Sequence, residues 1–245
     1  MSNLGNANSP VPVSPPTLRT WDFMETAFVS LIAYGVYTLT SGLVLTIMLA
    51  MHDGANTSSA AQFQAYGAGY IVASPLTIAV LWIAIRMARR DFAEYLALNW
   101  PSSGELLRAL AITAILLLAE SLVLSFVGAG EAPPDPYVSG EHADGFLILL
   151  IGGCIAAPVM EEFVLRGFMF RGWSQSFLGP VGSIVLTSVL WGMIHTQYDW
   201  FGRFWIFVTG LALGHFRWRS NSTWLTVMVH SAINILLLFM IGLQL

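Results

Sequence analysis

The sequence lacks lysine and has few charged residues of any kind. Ten arginines supply all of its basic side chains, and charged residues make up 10% of the chain. Soluble globular proteins carry about 25% charged residues. Together with 56% hydrophobic residues and a mean hydropathy of +0.69, this composition excludes an ordinary soluble domain. It also excludes the basic stripe on which nucleic-acid binding depends, so no nucleic-acid partner is expected.

Cysteine is almost absent too. Cys154 is the only one, so an intrachain disulfide is impossible. The pattern of a cleavable signal peptide is also missing, because no charged start precedes a short apolar core. Residues 1–20 are rich in Asn, Ser and Pro and are predicted to form a flexible N-terminal tail. Residues 21–245 are predicted to form a single transmembrane domain.

Long apolar runs predict an all-α fold, a polytopic transmembrane helical bundle. A spanning helix needs about 20 mostly apolar residues. Seven runs meet this need, and counts of six or eight remain open because the fifth and sixth runs are short or polar at one end. The predicted spans are 24–51, 68–88, 104–128, 145–170, 178–197, 203–219 and 222–243.

The arginines indicate how these spans are oriented, because cytoplasmic loops are enriched in basic residues. With a cytoplasmic N-terminus, nine of the ten arginines fall on the cytoplasmic side, and only Arg203 does not. The absence of lysine and the short loops are interpreted as bacterial. We therefore expect an integral protein of the bacterial inner (plasma) membrane, in contact with membrane lipid.

Two adjacent glutamates lie inside the fourth predicted span. A carboxylate at bilayer depth costs at least about 2.5–3.5 kcal/mol, so Glu161 and Glu162 predict a functional site. The i,i+4 spacing allows Glu162 to pair with Arg166. Glu161 projects about 100° away around the helix axis and is free for another role. Pro158 removes a backbone N–H and predicts a kink just before Glu161.

Two further polar pairs lie in later spans, each on one helix face. They are Trp191 with His195 and His230 with Asn234. A buried glutamate suits general acid–base catalysis, an imidazole can share a water with it, and an amide N–H can stabilise an oxyanion. This inventory predicts hydrolysis of an amide bond inside a membrane. The thiol of Cys154 is a less favoured nucleophile, and the HExxH and GxSxG motifs are absent.

Three motifs in order resemble those of the CAAX protease and bacteriocin-processing family, also called the Abi family of intramembrane proteases. The family pattern is EExxxR, then FxxxH, then HxxxN or HxxxD. In this sequence the motifs are Glu161-Glu162-Phe-Val-Leu-Arg166, Trp191-Gly-Met-Ile-His195 and His230-Ser-Ala-Ile-Asn234. Trp191 replaces the usual phenylalanine. The resemblance covers a protease-like core of about residues 143–245.

The resemblance implies a glutamate-dependent intramembrane endopeptidase, similar to CAAX prenyl proteases, that acts on a membrane-associated or lipidated peptide. It implies that Glu161 and His195 activate water. It also implies that His230 and Asn234 stabilise the oxyanion. Glu162 and Arg166 would shape the site or bind a substrate end, and Trp191 would form an aromatic wall.

A metal is not decided by these motifs, although the family is often labelled a metalloprotease. Glu161, His195 and His230 would make a two-histidine, one-carboxylate zinc site with an open position. We favour water activation without a metal, because Asn234 suits an oxyanion role better than it suits metal ligation.

Two other classes of function stay open. One is a membrane scaffold or bacteriocin-immunity protein without catalysis, in which Glu162 and Arg166 form a structural ion pair. The other is a proton-coupled transporter, which the absence of an internal repeat disfavours.

Overall fold

The computed structural model describes residues 20–51, 59–127 and 143–242, and all regular structure in these ranges is helical. The predicted all-α fold is therefore confirmed. The tail prediction lies outside the described residues except for residue 20. The helices are α1 (Phe23–Ala50), α2 (Ser59–Met87), α3 (Phe92–Leu96), α4 (Ser103–Val127), α5 (143–174), α6 (Gly179–Ile194), α7 (Trp200–Ser220) and α8 (Thr223–Gly242).

Five of these helices are long and apolar enough to cross a membrane, namely α1, α2, α4, α5 and α8. They make the chain an integral membrane protein. Helix α6 is apolar but has 16 residues. Its rise of about 24 Å is shorter than the hydrocarbon core of about 30 Å. Helix α7 has 21 residues and includes Arg203, Arg217 and Arg219, which lower its hydropathy. These two helices are the spans that the sequence predicted least clearly.

Most predicted boundaries agree with the helices within a few residues. The larger differences lie in α2, which begins at Ser59 instead of residue 68, and in α5, which continues to Ser174 instead of residue 170. The sequence did not predict α3. This five-residue helix begins at an Asp91 N-cap, whose side chain accepts a hydrogen bond from Glu94 N.

Three contacts tie four chain segments together at one end of the bundle. They are a hydrogen bond from Trp173 Nε1 to the Phe23 carbonyl (3.1 Å), an ion pair of Arg171 with Glu94 (2.8 Å), and a hydrogen bond from Thr223 N to the Ala97 carbonyl (2.9 Å). The starts of α1 and α8, the α2–α4 connection and the end of α5 therefore share one side. The distribution of the arginines predicted that these segments lie on the same side of the membrane.

Two of the arginines counted as cytoplasmic do not face an aqueous surface. Arg166 and Arg217 are 1% and 3% exposed and lie in the interior of the bundle. Arg166 lies well before the end of α5, whereas Arg217 is in the last turn of α7, near the predicted end of the sixth span. Both guanidinium groups donate to the backbone of a neighbouring helix. The cytoplasmic N-terminus stays a prediction that rests on the remaining arginines.

Helix α5 contains one π-helical segment on each side of the paired glutamates. Residues Gly152–Ala156 and Phe163–Met169 are π-helical, and the segment Ala157–Glu162 between them is α-helical. Pro158 has no N–H to donate and is the second residue after the first π-helical segment. A kink was predicted at this proline, and the structure has a π-helical segment just before it, a form that is frequent at functional sites.

Small residues allow α2 and α5 to approach closely at the first π-helical segment. A Cβ atom on Gly152 would lie 2.4 Å from the carbonyl oxygen of Gly67. Gly67 is equally restricted, since its own Cβ would lie 2.7 Å from the Ile148 carbonyl oxygen. This close approach of the two backbones holds α5 in place near the site.

We predict that Gly152→Ala destabilises the protein, whereas Gly153→Ala has little effect. At Gly152 the new methyl group meets backbone atoms that cannot rotate away, and overpacking of this kind costs about 1–3 kcal/mol. At Gly153 the nearest atom is Leu149 Cδ1 at 3.6 Å, an ordinary contact. Thermal unfolding of the two purified variants in the same detergent measures the difference. Equal melting temperatures would contradict the close approach of α2 and α5.

Candidate active site

The carboxylate of Glu162 lies at the centre of the buried polar cluster. Its side chain is 0% exposed, and its Oε1 accepts hydrogen bonds from Arg166 Nη1 (2.8 Å) and from His230 Nδ1 (2.9 Å). The predicted pairing of Glu162 with Arg166 is confirmed. The link to His230 on α8 was not predicted, because no sequence spacing relates residues 68 positions apart. One carboxylate therefore joins the first motif to the third.

Arg166 is fixed from three directions. Besides Glu162, its Nη2 donates to the Gly210 carbonyl on α7 (3.4 Å), and its guanidinium carbon lies 4.6 Å from the centre of the Trp191 ring. A cation held over an indole face gains about 2 kcal/mol or more when it is desolvated. Arg166 thus connects α5 with α6 and α7 as well as neutralising Glu162.

Trp191 collects the functional groups of all three motifs around one side chain. Its indole Nε1 donates to Glu161 Oε2 at 2.7 Å. Its ring makes edge-to-face contacts with the imidazoles of His195 and His230, at centroid distances of 5.3 and 5.1 Å. Helices α5, α6 and α8 therefore bring these groups together, although no hydrogen bond between the described residues joins Glu161 directly to either histidine.

Both histidines are oriented through Nδ1. His195 Nδ1 lies 2.7 Å from the Trp191 carbonyl oxygen, and His230 Nδ1 lies 2.9 Å from the Glu162 carboxylate. A carbonyl or carboxylate oxygen accepts hydrogen bonds, so each Nδ1 carries the hydrogen. In the neutral ring each Nε2 then holds a lone pair that can take a proton from water.

Glu161 is more accessible than Glu162. Its side chain is half-buried, and only Oε2 is engaged, by Trp191, in the described part of the chain. The phenol of Tyr34 on α1 lies within electrostatic range of this carboxylate. The motifs did not reveal Tyr34, because it precedes Glu161 by more than a hundred residues and belongs to no recognisable pattern.

Asn234 makes a backbone contact that the sequence did not predict. Its Nδ2 donates to the Gly153 carbonyl at 2.9 Å, within the first π-helical segment of α5. An amide nitrogen carries two hydrogens, so one remains for another acceptor. Arg217 has a similar contact at the second π-helical segment, where its Nε donates to the Arg166 carbonyl at 2.9 Å. Side chains from α8 and α7 therefore donate to carbonyls within both π-helical segments.

The described residues contain no group of three or more His, Cys, Asp and Glu side chains arranged to hold a metal ion. Glu161 is turned toward the Trp191 indole, while His230 is turned toward Glu162. The geometry thus gives no support to the zinc alternative built from Glu161, His195 and His230. Cys154 is buried in the first π-helical segment, and no contact of its thiol supports a nucleophilic role.

A separate apolar groove of about 220 Å³ lies between α6 and α7, lined by residues that include Val189, Phe204 and Phe207. It contains none of the predicted catalytic residues. Asp199 directly precedes the groove residue Trp200 in the chain. Its role is structural, since it is the N-cap of α7 and accepts a hydrogen bond from Gly202 N at 2.8 Å.

We predict that Glu162→Gln lowers the stability of the fold much more than Glu161→Gln. Loss of the Glu162 charge leaves Arg166 buried without its counter-ion, and breaking a buried pair in this way costs about 3–5 kcal/mol. Glu161 is half-buried and would lose only the charge in one hydrogen bond. Thermal unfolding in detergent compares the two neighbouring variants. Equal destabilisation by both would contradict the assignment of Glu162 as the structural carboxylate.

Comparison with known proteins agrees with the motifs. Residues 143–236 match the family model described as Type II CAAX prenyl endopeptidase Rce1-like. The match covers less than half of the 245-residue chain, but it includes all three motifs, from α5 to most of α8. No curated protein and no solved structure matches the chain. The segment that builds this polar cluster therefore matches the Rce1-like type II CAAX prenyl endopeptidase family, in agreement with the resemblance of the three motifs.

Proposed function

We propose that this protein is an intramembrane endopeptidase in which Glu161 and His195 activate the attacking water. The observation that carries the proposal is the position of Trp191, whose side chain contacts Glu161, His195 and His230 together. Three helices thus converge on one group of polar residues in an otherwise apolar bundle. Membership of the matched segment in an endopeptidase family supports the same conclusion.

The first chemical step needs a base beside a water molecule. With Oε2 of Glu161 engaged by Trp191, its Oε1 is available to accept a proton from water, and the Nε2 lone pair of His195 orients the same water. The water oxygen attacks the carbonyl carbon of the peptide bond. The tetrahedral intermediate then collapses, the proton held by Glu161 moves to the leaving nitrogen, and the products are a carboxylic acid and an amine.

The negative charge on the intermediate requires hydrogen-bond donors. Asn234 offers the N–H that Gly153 does not use. His230 donates from Nε2 when its ring carries both protons, while Nδ1 remains bound to the Glu162 carboxylate. Each well-placed oxyanion donor is worth about 10²–10³ in rate. Both residues lie on α8, one turn apart, so they face the intermediate from the same side.

Glu162 and Arg166 have a positioning role in this proposal. Both are almost completely buried, so neither is placed to touch a substrate. The Glu162 carboxylate orients the His230 ring, and Arg166 compensates the charge of Glu162 and packs on Trp191. For Glu162 or Arg166 to bind a substrate directly, the helices around them would have to move apart.

The substrate class follows from where the cluster lies. An active site enclosed by membrane-spanning helices favours a membrane-associated or lipidated peptide over a soluble one. We propose in addition that the protein resides in a bacterial inner (plasma) membrane with a cytoplasmic N-terminus. The arginine distribution supports this orientation.

We predict that Glu161→Gln, His195→Ala and His230→Ala each lower turnover of a membrane peptide by about 10²–10⁴-fold, the usual contribution of a positioned acid or base. A fluorogenic peptide in detergent micelles or liposomes provides the assay. Glu120→Gln is the matched control, because Glu120 is a partly buried carboxylate in α4 outside the polar cluster. It should retain wild-type activity.

Turnover that survives all three substitutions would overturn the proposed function. The natural substrate can be sought by comparing membrane peptides from cells that express the wild-type protein with those from cells that express Glu161→Gln. A peptide cleaved only by the wild type is the expected result. A cellular phenotype that Glu161→Gln leaves intact would favour the scaffold or immunity function instead.

We predict that activity does not depend on zinc. Element analysis of the active purified protein should find no stoichiometric metal, and treatment with a strong chelator should leave the rate unchanged. The physical reason is that the described side chains of Glu161, His195 and His230 are not arranged as a group that could hold a metal ion. Stoichiometric zinc that is lost together with activity in His195→Ala would contradict this prediction.

A further inference from the structure

Trp191 differs from the residue that the family pattern has at this position in one chemical respect. Phenylalanine supplies an aromatic ring, whereas tryptophan adds an N–H donor. In this protein that donor is used, because Nε1 lies 2.7 Å from Glu161 Oε2. The bond crosses from α6 to α5 and links the second motif to the first. An aromatic ring without a hydrogen-bond donor could not make this link.

The indole is held firmly enough to orient its partner. Trp191 is 4% exposed, and its ring is enclosed by the guanidinium of Arg166 and the imidazoles of His195 and His230. These three contacts leave the ring little freedom to rotate. A donor fixed in this way determines where the flexible Glu161 side chain places its two oxygens.

We propose that Trp191 is a positioning residue that holds Glu161 through Oε2 and thereby leaves Oε1 directed to the water. The inference rests on the proposed function, in which Glu161 is the base. It assigns the orientation of that base to a hydrogen bond that phenylalanine cannot make. A glutamate without this bond would sample several rotamers, only some of which place an oxygen beside the water.

The decisive substitution removes the N–H and keeps the ring. Replacement of Trp191 by benzothienylalanine exchanges the N–H for sulfur in a ring of nearly the same shape, and Trp191→Phe is the smaller genetic variant. Both should lower kcat by about 10–100-fold, as loss of an orienting partner does at other sites, with a much smaller change in KM. Melting temperatures near that of the wild type verify that the ring contacts with Arg166 and the histidines survive.

A second measurement tests the hydrogen bond without catalysis. In protein labelled with ¹⁵N in the indole of tryptophan, the Nε1–H signal of Trp191 is the one that disappears in Trp191→Phe. Glu161→Gln should move this signal upfield, because an amide oxygen is a weaker acceptor than a carboxylate. Glu120→Gln, which changes a carboxylate on α4, should leave the signal in place.

The two measurements separate the possible failures. A Trp191 signal that Glu161→Gln does not move would overturn the inference, whatever the activity. Full kcat in the benzothienylalanine protein would also overturn it, since the bond would then exist without orienting the base. Turnover that survives Glu161→Gln itself would instead overturn the proposed function, while the signal shift would still report the bond.

Discussion

The buried carboxylate of Glu162 is the interaction on which the rest of this site depends. A single oxygen accepts from Arg166 on the same helix and from His230 on α8. A charge in the interior of a membrane protein is tolerated only with such partners, so the carboxylate constrains every element that supplies one. Arg166 in turn reaches the α7 backbone and the face of Trp191 on α6. The adjacent Glu161 remains available because Glu162 takes the structural role.

The backbone of helix α5 is irregular on both sides of its two adjacent carboxylates. In a membrane, carbonyl groups must find donors within the protein. Within the two π-helical segments, the carbonyls of Gly153 and Arg166 accept hydrogen bonds from Asn234 and Arg217. Asn234 therefore couples the winding of α5 to α8. In the proposed mechanism, the same side chain that satisfies the backbone also contributes an oxyanion donor.

Local rules predicted those parts of the site that depend on neighbours in sequence. The i,i+4 spacing correctly predicted the pairing of Glu162 with Arg166. The proline predicted a kink before Glu161, and the structure has a π-helical segment just before that proline. Rules of this kind could not predict the contacts between helices. The spacing of Trp191 and His195 indicated a shared face, but not that the indole donates to Glu161. Arg217 was predicted to lie at the end of the sixth span, but hydropathy does not reveal that its guanidinium turns inward onto the backbone of a neighbouring helix.

The sequence by itself determined that the protein is helical, that it belongs in a membrane, and which polar residues stand where lipid should exclude them. These properties follow from composition and from the period of a single helix, and each can be evaluated within about 20 residues. Only the tertiary structure decided which oxygen meets which donor. Glu162 was free, on spacing alone, to serve as a structural or a catalytic group. Its contact with His230 on a distant helix, and the contact of Glu161 with Trp191, distinguish the two carboxylates, because hydrogen bonds depend on positions in space that packing alone sets.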